Sequence, residues 1–263
     1  MNKNGKNKKI AIITGASSGI GYTFALELDK ILHTTDELWL IARSEERLKE
    51  LSEKLHMKTR IIPMDLTNAE SFAAFEALLQ EELPSVRFLI NAAGLGFMGA
   101  FLDVEKQCEE ETIMCNCIGL TRMTRMCLPY MAWNGRIIQL ASSAAFLPQP
   151  DFAVYAASKA YVLSLSTALS EELRGRGIYV TSVCPGPVAT PFFDKAEVFG
   201  KTLAIKKYVT VTPERVVRLA LKDSRRCKRM SVCGIPMKAF YLLTKLVPER
   251  FILFCMRMMK VSR

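Results

Sequence analysis

Short apolar runs alternate along this chain with longer segments whose apolar residues recur at helical spacing. "KIAIIT" reads as a first strand, and residues from about 19 to 32 as a helix. "ELWLIA" reads as the second strand, followed by the charged helix "EERLKELSEKL". "TRIIPMDL" and "AESFAAFEALLQEEL" repeat the pair, and "VRFLINAAG" is the fourth strand. A long helical region is expected from about 105 to 131. "GRIIQLASS" then gives a fifth strand and "YAASKAYVLSLSTALSEELRGRG" a long helix ending at glycine. "IYVTSVCPG" is the sixth strand, "TPERVVRLALKD" opens as a capped helix, and "RMSVCG" is a short seventh strand. Strands that are apolar throughout, not alternating, are covered on both faces. Interleaved with helices, they predict a parallel sheet of about seven strands in a doubly wound α/β fold. No linker, repeat or low-complexity tract divides the 263 residues, a length that suits one large domain.

Composition changes this picture at one end only. The net charge is +10, but residues 1–200 hold 20 Lys+Arg against 23 Asp+Glu, and residues 201–263 hold 16 against 3. The basic character is therefore local to the last quarter. Eight cysteines include no CxxC pair, and His33 and His56 are the only histidines, so no metal site is expected. Several cysteines lie in apolar runs, as reduced core cysteines do, which makes a reducing cytoplasm the expected setting. The start "MNKNGKNKK" is charged like a signal peptide, but "IAII" is too short for the apolar region that would follow. No apolar stretch reaches the ~20 residues of a membrane-spanning helix.

The candidate chemistry begins at "TGASSGIG", Thr14 to Gly21, where strand one turns into helix one. Gly15, Gly19 and Gly21, with Ser17, Ser18 and Ile20 between them, would let backbone approach a pyrophosphate resting on the helix N-terminus. This placement predicts a Rossmann-type dinucleotide site. At the end of strand two, "IARSEERL" puts Arg43 and Ser44 where an NAD site carries Asp or Glu. A guanidinium there suits a ribose 2′-phosphate, so NADP(H) is the expected cofactor. The alternative is a solvated Arg43 ahead of a helix begun by Glu45 and Glu46. "YAASK" sets Tyr155 and Lys159 four residues apart, about 5–6 Å at Cβ on one helix face. The ammonium would lower the phenol's pKa and make a general acid/base. The same spacing also suits an ordinary helix surface.

With these segments in order, the chain resembles the short-chain dehydrogenase/reductase family. The resemblance also rests on "NAAG" (91–94), "NCIG" (116–119), Ser142 of "LASSAA" and "PGPVAT" (185–190), and spans residues 8 to about 235. It implies hydride transfer between a nicotinamide and a carbonyl or secondary alcohol. By that resemblance Tyr155 is the acid/base, Lys159 lowers its pKa and binds ribose, Ser142 stabilises the oxyanion, and Asn116 serves a proton relay. Ser143 is adjacent, but Ser142 has the family's spacing, thirteen residues before Tyr155. Asp65, with Leu66, would contact the adenine. Asn91, Ala92, Ala93 and Gly94 would line the adenosine side, and Pro185, Gly186, Val188 and Thr190 the nicotinamide carboxamide. A homodimer or homotetramer is a further implication. Two departures stand out: Ala92 replaces a usual asparagine, and Ala145 a usual glycine, which would narrow the pocket beside Ser142.

A dinucleotide-binding catalytic domain over 1–235 leaves an extension, 236–263, beyond the resemblance. Phe240, Leu243 and Val247, then Phe251, Phe254, Cys255 and Met258, follow helical spacing, with Pro248 starting a second short helix. Lys238, Lys245, Arg250, Arg257 and Lys260 make it basic. Such a segment either packs on the domain or across a dimer, or lies peripherally on the inner membrane surface. No nucleic-acid-reading motif accompanies the charge. Phe192, Phe193, Phe199 and Leu203, with Phe146, Leu147 and Phe152, suggest an apolar pocket for a lipophilic ketone or alcohol such as a steroid, bile acid or acyl chain. The competing reading is a non-catalytic NADP(H)-binding sensor or scaffold that uses the basic tail.

Overall fold

The computed structural model describes residues 7–200 and 210–261. Leu203 and the first six residues lie outside them. Seven parallel strands form one sheet: β1 (Lys9–Thr14), β2 (Glu37–Ala42), β3 (Thr59–Pro63), β4 (Ser85–Asn91), β5 (Met131–Leu140), β6 (Tyr179–Val183) and β7 (Met230–Ser231). Their order in space is 3-2-1-4-5-6-7. This is the doubly wound Rossmann-type arrangement expected from the sequence.

The apolar strands are explained by helices on both faces. In β1, Ala11 and Ile13 pack with Phe24 and Leu28 of α1 (Gly19–Asp29) and with Val216, Val217 and Ala220 of α8 (Pro213–Arg225). Ile10 and Ile12 point to the other face, toward Phe72, Phe75 and Leu79 of α3 (Ala69–Glu82). α2 (Glu45–Ser52) and α6 (Ala153–Glu172) are the charged and the long helices read from the sequence. The order reverses between β1 and β4, whose last residues Thr14 and Asn91 are paired. A crevice therefore opens at the carboxyl ends of these strands.

Two elements differ from expectation. The region from 105 to 131 is not one helix. α4 (Lys106–Ile113) passes into a π-helical turn over Met114–Gly119 before α5 (Leu120–Cys127) resumes. A single π turn is too short to register in a periodicity read over a longer window, so the sequence reads as one helix. β5 begins at Met131, four residues before the expected Gly135. The extension forms α9 (Ile235–Leu246) and, after Pro248, α10 (Glu249–Val261). The short α7 (Phe192–Ala196) follows β6.

Candidate active site

The crevice is a cleft of about 1440 Å³, more than the roughly 300–1,000 Å³ of a pocket for one small ligand. At one end, β1 turns into α1. Gly15 has φ +67°, and a Cβ there would come within 2.7 Å of the Ala93 backbone. The Thr14 hydroxyl accepts from the Ala92 and Ala93 amides at 3.1 and 3.2 Å, fixing β4 against this turn. Ser18 is the N-cap of α1, yet its side chain makes no capping bond, and the first turn holds no acidic residue. The amides and positive dipole end of α1 are thus left for an anion.

Gly15, Ser17, Ser18, Gly19 and Ile20 line the cleft, as do Arg43, Ser44, Asp65, Leu66, Ala92, Ala93 and Gly94. Pro185, Gly186, Val188 and Thr190 line its far side. The Ser44 hydroxyl also caps α2 by accepting from the Arg47 amide. The Asp65 carboxylate accepts from the amide and hydroxyl of Thr67. Arg47 lines the cleft beside Arg43, one helical turn into α2, and sequence reasoning missed it. Neither guanidinium has a carboxylate partner among the described residues. Free helix amides at the glycine turn fit the pyrophosphate of a dinucleotide.

Two residues expected to contact the cofactor lie away from the cleft. Gly21 does not reach the cleft: its Cα packs on the Gly15 carbonyl, where a Cβ would collide, so it closes the helix onto the turn. Asn91 points away as well. Its amide donates to Thr124 and Gln139 inside the core at 3.0 and 2.9 Å, and the side chain is buried.

At the other end, α6 presents Tyr155 and Lys159 on one face, and β5 ends beside them at Ser142. Ser142 and Ser143 both line the cleft, and it is the Ser142 hydroxyl that acts on the Tyr155 phenol, lowering its pKa against the effect of burial. The Ser142 oxygen also accepts from the Ala144 amide at 3.1 Å. Ala144 lines the cleft there and Ala145 does not, so the expected narrowing by Ala145 is absent. Lys159 is buried, and its ammonium donates to the Leu140 carbonyl at 2.9 Å and stands 5.6 Å from the Tyr155 ring centre.

The electrostatics depart from the simple pairing. Burial pushes the Tyr155 phenol up to about 12, with the Ser142 hydrogen bond acting the other way. Burial lowers the Lys159 ammonium to about 8. The expected lowering of Tyr155 by Lys159 is not seen, because the ammonium is turned to a main-chain carbonyl and both groups are desolvated.

Asn116 sits in the π turn, fully buried. Its amide donates to the Leu95 carbonyl and the Ser158 hydroxyl at 2.8 and 2.9 Å, and its oxygen accepts from the Leu95 amide. It does not line the cleft. A Cβ on Gly94 would stand 3.2 Å from the Lys159 ammonium and 3.3 Å from the Asn116 oxygen, so the two are close neighbours. Gly96 is another residue the sequence reading passed over. It lies flat on the Tyr155 ring, where any side chain would strike.

Above Tyr155 the wall is apolar. Phe152 stacks on its ring at 4.2 Å between centroids, and Phe192 contacts it at 5.4 Å. Phe193 and Phe199 line the cleft as expected, but Phe146 and Leu147 do not. Phe146 instead packs on Phe240 and Tyr241 and supports α9. Met237 and Phe240 of α9, and Leu253, Met256 and Arg257 of α10, reach the cleft. The extension therefore packs over the site. A phenol that stays protonated, a hydroxyl and an ammonium at the base of an apolar cleft can together give a proton to a carbonyl oxygen.

Comparison with known proteins agrees with this geometry. A family model described as short chain dehydrogenase matches residues 9–198. The chain is similar to a bovine (Bos taurus) very-long-chain 3-oxoacyl-CoA reductase, 31% identical, over 81% of this chain and 67% of that protein. It is also similar to mouse (Mus musculus) 17-beta-hydroxysteroid dehydrogenase type 3, 29% identical, over 92% of this chain and 80% of that protein. Among solved structures, a short-chain dehydrogenase from Sphingobium yanoikuyae in complex with NADPH superposes with a TM-score of 0.76 at 28% identity, covering 97% of this chain and 95% of that one. Glycine turn, tyrosine–lysine helix face and family match converge: the chain is an oxidoreductase that belongs to the short-chain dehydrogenase/reductase family.

Proposed function

We propose that this protein reduces a lipophilic ketone with NADPH. The observation that carries the reading is the meeting of Ser142, Tyr155 and Lys159 at the base of a cleft whose other end is the β1–α1 turn. When bound, the reduced nicotinamide supplies a hydride to the carbonyl carbon. Tyr155 gives its hydroxyl proton to the carbonyl oxygen as negative charge develops there, and Ser142 donates a hydrogen bond to the same oxygen. Lys159 holds positive charge beneath the phenol and is the group that would bind the ribose. Asn116 holds Leu95 and Ser158 in place beside Lys159, and a water at that point would pass protons to it. Burial holds the proton on the Tyr155 phenol, the form that proton donation to a carbonyl oxygen uses.

Arg43 and Arg47 support NADP(H) over NAD(H), since both guanidiniums face the cleft without carboxylate partners among the described residues. The NADPH complex of the Sphingobium yanoikuyae protein is in line with this choice. The aromatic wall of Phe152, Phe192, Phe193 and Phe240 supports a lipophilic substrate, as do the long-chain acyl and steroid substrates named for the two mammalian relatives. The exposed Ile113, Ile118 and Tyr161 support a homo-oligomer built on the α4–α6 face.

The test is NADPH consumption by the purified chain across steroid, bile-acid and 3-oxoacyl ketones and small aldehydes, with NADH and Tyr155→Phe in parallel. Turnover that prefers NADPH and needs Tyr155 is expected. Turnover unchanged in Tyr155→Phe would overturn the reading.

A further inference from the structure

The helices α9 and α10 have two different faces. Met237, Phe240, Leu253 and Met256 turn inward and line the cleft. On the outside, Leu242 and Leu246 of α9 and Phe251 and Phe254 of α10 are 56%, 73%, 60% and 58% exposed. α9 has no buried residue at all. Single exposed apolar side chains are ordinary, but large ones repeated over two consecutive helices mark a contact surface. Two other segments at the cleft continue the pattern. Ala100 and Asp103 line it, and between them Phe101 and Leu102 are 65% and 94% exposed. Val198, beside the cleft residue Phe199, is also exposed.

The same helices are basic. Lys238, Lys245 and Arg250 accompany the exposed apolar residues, Arg257 lines the cleft, and Glu249 is the one acidic residue from 235 to 263. Charge decides between the possible occupants. A second copy meeting this surface by two-fold symmetry would set like charges against each other around the apolar patch. An anionic bilayer offers negative potential at its surface and an apolar layer just below, matching both features at once. Among the described residues no helix is long and apolar enough to cross a membrane, so the contact is peripheral.

We propose that the outer face of α9 and α10, with Phe101, Leu102 and Val198, docks on an anionic lipid surface, and that the cleft takes its substrate from the lipid. The docking stands independently of the hydride reading; only substrate entry rests on it.

The experiment is co-sedimentation of the full chain with vesicles of phosphatidylcholine, alone or mixed one to one with phosphatidylglycerol. At about 1 kcal/mol for each basic residue at the surface, binding to the anionic vesicles is expected to exceed neutral binding by roughly tenfold or more and to fall with added salt. The double variant Leu246→Glu, Phe254→Glu is expected to lose sedimentation. It should keep NADPH binding and turnover of a water-soluble aldehyde, because neither residue lines the cleft. A wild-type chain that sediments with neither vesicle overturns the docking, as does a variant that sediments like wild type. A variant that merely turns a dimer into a monomer, with no vesicle binding in either form, assigns the face to a second copy and overturns it too. For entry, a long-chain ketone carried in anionic vesicles is expected to turn over several-fold faster with wild type than with the variant. Equal rates, with sedimentation intact, overturn entry alone; no reduction of any ketone or aldehyde sinks the hydride reading and leaves the docking standing.

Discussion

The side chains of the two walls of the cleft make different kinds of contact. The inner wall, from the β1–α1 turn to Ser142 and α6, is fixed by directional hydrogen bonds. Thr14 holds Ala92 and Ala93, Asn116 holds Leu95 and Ser158, and the Ser143 amide donates to the Pro185 carbonyl at 2.8 Å. In the outer wall, from Phe97 through α7 to α9 and α10, main-chain bonds such as the Met98 amide to the Ala196 carbonyl are joined by side-chain ring contacts, Phe97 on Phe199 and Phe146 on Tyr241. Directional bonds demand particular residues at particular spacings and keep atoms where chemistry needs them. Apolar contacts accept many residues and many arrangements. The comparison places reaction chemistry on the inner wall and substrate choice on the outer one.

The sharpest break between the walls is Tyr155→Phe. Removing the proton donor while keeping the ring on Gly96 is expected to lower kcat by about 10²–10⁴-fold, the range for general acid catalysis. NADPH affinity should stay within a few-fold, as read by quenching of protein fluorescence. A loss of affinity matching the loss of rate would show that the ring, not the hydroxyl, was doing the essential work.

How each wall was legible in the sequence follows from the same contrast. The glycine turn and Arg43 were readable from their place in the strand–helix order, and Ser142, Tyr155 and Lys159 from the family resemblance that their spacing carries. Gly15 and Gly19 of that turn line the cleft, as do Arg43, Ser142, Tyr155 and Lys159, while Gly21 does not. The placing of the Asn91 side chain was not legible, because a motif does not say which way a strand's last side chain points; here it turns to Thr124 and Gln139. The π turn that buries Asn116 was invisible because a single turn is too short to register in a periodicity read over a longer window. Arg47 had a usable signal, lying four residues beyond Arg43 at the start of a charged helix. The outer wall was read only as a list of aromatics. Phe146 and Leu147 were assigned to the pocket while Phe240, Leu253 and Met256 do the lining. Their positions depend on how α9 and α10 fold back, and no residue spacing specifies that.

The next effect in size should come from the cofactor end. Arg43→Ala is expected to lower the preference for NADPH over NADH by roughly 10–100-fold, the equivalent of one or two charge-assisted hydrogen bonds. Most of the change should appear as a higher KM for NADPH, with NADH little affected. Adding Arg47→Ala should lower the preference further. A preference that survives both changes would remove the guanidiniums from cofactor choice.

On the outer wall, Phe240→Ala should act on substrate alone. Losing one aromatic contact is expected to raise KM for a lipophilic ketone by about tenfold or less, leaving KM for a small aldehyde and for NADPH unchanged. Equal effects on the large and small substrates would show that α9 shapes the inner wall too, through its contact with Phe146.

The smallest expected effect tests whether the inner wall sacrifices stability to function. The Lys159 ammonium is lowered by burial from 10.5 to about 8. Below pH 8 it is charged in the folded and the unfolded chain, and the folded chain bears the whole desolvation penalty. Between about 8 and 10.5 the unfolded chain binds a proton that the folded chain has released, so wild-type stability rises with pH through this window. Lys159→Met removes the penalty and also the bond to the Leu140 carbonyl. The remainder should stabilise the folded chain at neutral pH by about 1–2 kcal/mol, a few degrees in Tm, while activity is lost. The advantage should shrink steadily as pH rises from 8 toward 10.5, because the wild type then unburdens itself of the same charge. A variant that melts below wild type at pH 7, or one whose advantage does not change with pH, would mean that Lys159 is held at no cost. The inner wall would then be as relaxed as the outer one, with its chemistry resting on geometry alone.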